Sequence, residues 1–167
     1  MMQGAYAGTG LWLSDGATNI MPIPPHRGDD LSQQQMDENT LTVHRAWRLH
    51  VDHIRHSLVQ AYYQGWDLHP AQLPTRYAAI YSFFLEGLHL ATERLRNFME
   101  KAGQATLVGD VFDDAATGQG LLNYFIRGLN SGALSEEEAL ATGLTLDELR
   151  SRSFVKILKG RRERAAP

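Results

Sequence analysis

The chain has 167 residues, 43% hydrophobic and 21% charged, with a formal net charge of -3 and no cysteine. That is the size of one ordinary domain, and it excludes disulfides, thiolate nucleophiles and cysteine-held metals. A mildly acidic balance gives no electrostatic basis for nucleic-acid binding, which rests on neutralising phosphates. No apolar run nears the roughly 20 residues that span a bilayer. The start, Met1-Met2-Gln3-Gly4-Ala5-Tyr6, lacks the basic and apolar zones of a signal peptide. The expectation is a cytoplasmic protein with neither membrane nor nucleic acid as partner.

The first predicted element is a buried strand of about five residues, Leu11-Trp12-Leu13-Ser14, closed by the Asp15-Gly16 turn. From about 23 to 40, Pro24-Pro25, His26-Arg27-Gly28 and Gln33-Gln34-Gln35 offer little surface to bury, which predicts a flexible loop. Val43, Trp47, Val51, Ile54, Leu58 and Tyr62 then recur at spacings of three or four, predicting a helix from about Leu41 to Tyr63. Gly65 stops it, and Trp66-Asp67-Leu68 reads as a second strand. Pro restricts the residue before it, so His69 should be extended ahead of Pro70. Pro74 suits a first helical position and Gly103 a stop, predicting a helix from about Pro74 to Ala102. Tyr77, Tyr81, Phe84, Leu88, Ala91, Leu95 and Phe98 share one face of it.

Beyond Gly103 the pattern is helical. Asp113 or Asp114 suits a cap for a helix through Leu129, and Ser135/Glu138 and Thr145/Glu148 are capping boxes. The expected organisation is a βαβα part over 1–102, a helical annex over 103–160 and a disordered basic tail over 161–167. A helix between two strands makes a parallel βαβ unit. Two parallel strands alone leave open edges and little core, so the order predicts an α/β fragment, mostly helical, belonging to a larger sheet.

Three blocks carry a family resemblance: Gly10 to Asn19, the helix containing Ala46-Trp47-Arg48-Leu49-His50, and Tyr63 to Tyr77 with its Gly65-Trp66-Asp67-Leu68-His69-Pro70-Ala71-Gln72 core. In this order they resemble the C-terminal third of the HpcH/HpaI aldolase and citrate lyase β-subunit family, in an uncharacterised aldolase-like branch. Arg127 to Leu134 resembles that branch too. The resemblance implies the last two βα units of a (β/α)8 TIM barrel of the phosphoenolpyruvate/pyruvate type, plus the annex. It implies a magnesium-dependent carbon–carbon lyase acting on a 2-keto acid or related oxo-acid. The family's metal-ligand strands lie earlier in the barrel, so the isolated chain is expected to be inactive.

On this reading Ser14, Asp15 and Gly16 stand at the mouth of the seventh strand, and Asp67 and His69 at the eighth. A carboxylate there can orient substrate, and an imidazole can shuttle a proton. The structural alternative is that Asp15 binds local amides in a turn and His69 fixes its loop. His44, His50, His53 and His56 have helical spacing, yet zinc needs three or four converging ligands, so a solvated polar face explains them. The Tyr77/Tyr81/Phe84/Leu88 face is expected to meet a second copy or the missing barrel half. The rival readings are a non-catalytic helical interaction module and one half of a split enzyme.

Overall fold

A computed structural model describes residues 5–6, 11, 13–63, 65–108 and 115–165. The protein is mostly helical: α1 (Gln33–Val59), a short 3-10 turn (Pro70–Gln72), α2 (Leu73–Val108), α3 (Ala115–Asn130), α4 (Glu136–Leu140), α5 (Leu146–Ser151) and α6 (Phe154–Ala165). Its contacts divide it into two compact units, Met1–Phe83 and Phe84–Pro167.

Where α1 begins corrects the predicted loop. Ser32 accepts from the Gln35 amide and Gln35 returns a bond to the Ser32 amide, a complete capping box. Gln33 then bonds Asp37 at 2.8 Å and Gln34 bonds Glu38 at 3.0 Å, so the glutamine run forms helical i,i+4 pairs. Asn39 binds both the amide and the carbonyl of His26, at 2.9 and 3.0 Å, folding residues 26–32 onto the new helix.

In the first unit, Ile54 and Leu58 of α1 pack on Ala79 of α2, with Val51, Tyr63, Ile80 and Phe83 around them. Segments 13–20 and 65–69 run along this pair. The strands expected at Leu11-Trp12-Leu13-Ser14 and Trp66-Asp67-Leu68 do not form among the described residues; Ser14 alone carries an isolated β-bridge. A lone parallel pair has no neighbours to complete its ladders, which leaves these segments without the support a strand needs.

In the second unit, Phe84, Leu95, Leu122, Phe125 and Phe154 are fully buried. Gly118 lets α6 come close: a Cβ there would stand 2.4 Å from the Phe154 ring. The capping boxes at Ser135/Glu138 and Thr145/Glu148 form as predicted and start α4 and α5. The expected cap at Asp113 or Asp114 lies outside the described residues. Two boundaries differ from expectation. α2 runs through Gly103 to Val108, because a mid-helix glycine costs only about 1 kcal/mol and Ala102 beside it is fully buried. The basic tail is helical through Ala165, and Arg161 and Arg164 both pair with the buried Glu148.

Candidate functional site

Ala46, His50, Ile54 and Leu58 form the buried line of α1, one residue per turn. His50 is therefore inward, only 1% exposed, and the expectation of a solvated histidine face fails for it. Its Nδ1 lies 2.8 Å from the Thr75 hydroxyl. Its Nε2 lies 3.0 Å from Asp67 Oδ1, with the ring N–H off the line to that oxygen. Asp67 is gripped from the other side by Arg76, whose Nε reaches both carboxylate oxygens at 3.1 Å and whose Nη2 reaches Oδ1 at 3.0 Å. Arg76 also binds the Trp66 carbonyl at 3.0 Å. A forked guanidinium on a carboxylate fixes orientation as well as charge.

Gln72 is fully buried and joins the two non-helical segments. Its Oε1 accepts from the Leu68 amide at 2.8 Å, and its Nε2 donates to the Thr18 carbonyl at 2.9 Å. Trp47 of α1 donates to the Ala71 carbonyl at 2.9 Å, holding the same corner from the helix side. A third line of ties runs further down α1. His53 Nδ1 lies 3.0 Å from the Thr18 hydroxyl, and Ser57 donates to Asp15 Oδ2 at 2.6 Å.

The rim residues named from sequence fall into two groups. Asp15 accepts from the Gly16 amide at 2.8 Å, the turn bond expected of Asp-Gly, in addition to Ser57. The Ser57 hydroxyl first, then the Gly16 amide, hold its carboxyl below the usual carboxylate range despite some desolvation, with His56 and His53 adding to the pull. Ser14 bonds the Asp15 carbonyl at 3.1 Å, and a Cβ at Gly16 would meet nothing. Asp67 belongs to the His50/Arg76 network. His69 is extended, at φ -150 and ψ 142, and its Nδ1 accepts from the Ala71 amide at 3.1 Å to cap the 3-10 turn. That bond leaves the hydrogen of a neutral ring on Nε2.

Sequence reading missed His50, Gln72, Thr75 and Arg76. A signal existed for His50, which continues the i, i+4 line of Ala46, Ile54 and Leu58. Gln72 and Arg76 lie in the Tyr63–Tyr77 block, but no signal gave either its partner, which is tens of residues away or on a different element.

Magnesium would need several oxygen ligands in octahedral array. The residues present do not fit it: Asp67 is already neutralised by Arg76, and Asp15 is occupied by Ser57 and Gly16. Among the described residues no group of three His, Asp or Glu converges as a metal site. No helix among them is long and apolar enough to cross a membrane.

Fold and site together define a mostly helical protein whose buried polar side chains tie two non-helical segments to one helix. A family model described as "Domain of unknown function (DUF6986)" matches residues 1–157, and the chain belongs to that family. No significant match is found among curated proteins or solved structures.

Proposed function

We propose that this chain is the C-terminal part of an aldolase/citrate-lyase-like barrel, its last two βα units followed by a helical annex. The chemistry it would serve is carbon–carbon bond cleavage or formation next to a 2-keto acid or related oxo-acid, in the cytoplasm. The observation that carries this reading is the Gln72 amide, which bonds Thr18 and Leu68 at once. Residues 15–20 and 69–72 would follow neighbouring strands of such a barrel, with α1 as the connection between them. Their direct joining is what that topology requires.

In this reading the chain supplies a rigid rim and no metal centre. His69 Nε2–H is a donor for a substrate carboxylate or carbonyl, and Asp67 and Arg76 fix the backbone beneath it. Any magnesium must be held by residues from another source, since Asp15 and Asp67 are engaged. Alone, the chain should not turn over. The test is aldol cleavage of 2-keto-acid substrates with added magnesium, by purified chain and by chain co-expressed with a polypeptide bearing the earlier barrel strands. Activity restored only by co-expression supports a split enzyme. Turnover by the chain alone, surviving repurification, overturns the incomplete-barrel reading.

A second reading, a helical interaction module, is favoured by one observation. On α2, Tyr77 and Tyr81 are 54% and 37% exposed and stack edge to face at 6.0 Å, with Leu73 and Leu85 exposed nearby. Phe84 is buried and drops out of the expected docking face. Concentration-dependent assembly by size-exclusion chromatography, lost in Tyr77→Ser/Tyr81→Ser, supports this reading. A monomer at every concentration, binding no partner chain, removes it.

A further inference from the structure

His50 is an ionisable ring in a closed polar cluster, and charging it changes that cluster in a defined way. Three elements face it: α1 itself, with His53 one turn on; the 66–72 corner, with Asp67; and the start of α2, with Thr75 and Arg76. Asp67 and Arg76 sum to zero charge, and the guanidinium already spends three bonds on that carboxylate. The Thr75 hydroxyl has one hydrogen and two acceptors in reach, His50 Nδ1 at 2.8 Å and the Gln72 carbonyl at 2.9 Å. With the ring neutral and its hydrogen on Nε2, Thr75 donates to Nδ1. With the ring charged, Nδ1 becomes a donor, Thr75 must turn to Gln72, and one net positive charge is buried beside Arg76. Asp67 offsets only part of that charge, because Arg76 already pairs with its carboxylate. An unbalanced buried charge is strongly disfavoured.

We propose that the Thr75–His50–Asp67 contact is an acid-sensitive latch, holding the 66–72 corner on α1 while His50 is neutral and releasing it when the ring takes a proton. Burial first, then the Arg76 charge, keep the His50 pKa below its ordinary 6.5, against the opposing pull of Asp67. A lowered histidine pKa means the contribution is complete above the ordinary value and is lost as pH falls below it.

The experiment is amide hydrogen exchange on the full chain between pH 7.5 and 5, corrected for intrinsic exchange, read on peptides covering 66–72. Opening should rise towards about tenfold per pH unit below 6.5 in the wild type. It should be flat in His50→Asn and unchanged from wild type in His53→Gln. Arg76→Gln, useful should His50→Asn not fold, frees Asp67 to balance the charged ring and should shrink the rise. A flat wild-type profile, a slope that persists in His50→Asn, a slope lost in His53→Gln, or a larger rise in Arg76→Gln would each overturn the proposal.

Discussion

Gln72→Ala is the most direct test of how the two non-helical segments are held. The side chain is wholly buried and satisfies the Leu68 amide and the Thr18 carbonyl. Truncation leaves both backbone groups without that partner. A buried polar group stranded in this way costs about 1–3 kcal/mol. Leu68 is exposed, so water can reach its amide and the lower figure applies there; Thr18 is buried, and the upper figure applies. The sum is about 4 kcal/mol, a large fraction of the stability of a domain this size. Urea unfolding followed by tryptophan fluorescence reads it, because Trp47 is bonded to Ala71 next to the substitution. The midpoint should fall with little change in slope, and the Leu68 amide should exchange faster. A loss below about 0.5 kcal/mol would show that the bridge contributes no more than an ordinary surface change and would refute the reasoning.

Two further outcomes concern the second unit. Gly118→Ala drives a methyl into the buried Phe154 ring and should cost about 1–3 kcal/mol, whereas Gly120→Ala, where a Cβ meets nothing, should be neutral or stabilising by up to about 1 kcal/mol; the two Tm values compared side by side check this. At Glu148 burial works to raise the carboxyl pKa, but the Arg161 and Thr145 bonds and the charges of Arg161 and Arg164 outweigh it, so the net shift is downward. The stabilisation is therefore complete above the ordinary carboxylate value and lost as pH falls through the folded-state value. Glu148→Gln should cost about 2 kcal/mol at pH 7, less than for a wholly buried pair because Arg161 keeps access to water, and should flatten the acid limb of a stability–pH curve. Equal acid sensitivity in both proteins would count against this.

Local chemistry made several features legible before any coordinates. The capping boxes at Ser135 and Thr145, the extended His69 ahead of Pro70, and the apolar spacing of α1 and α2 depend on residues within one or two turns of each other. The same logic was available at Ser32 and Gln35, where the polar composition of the neighbouring prolines and glutamines obscured it. Composition describes solvation, whereas a capping box and i,i+4 amide pairs describe hydrogen bonds, and the hydrogen bonds decided the start of α1.

By itself the sequence determined the apolar faces of α1 and α2, the capping-box starts of α4 and α5 and the absence of thiol chemistry, because each follows from short-range sterics, hydrogen bonding or plain composition. Only the tertiary structure decided that His50 turns inward, that Gln72 spans 54 positions to reach Thr18, and that Arg161 and Arg164 both pair with Glu148. Those choices compare the desolvation of a polar group with the partner it meets, and that partner is known only when distant segments lie side by side.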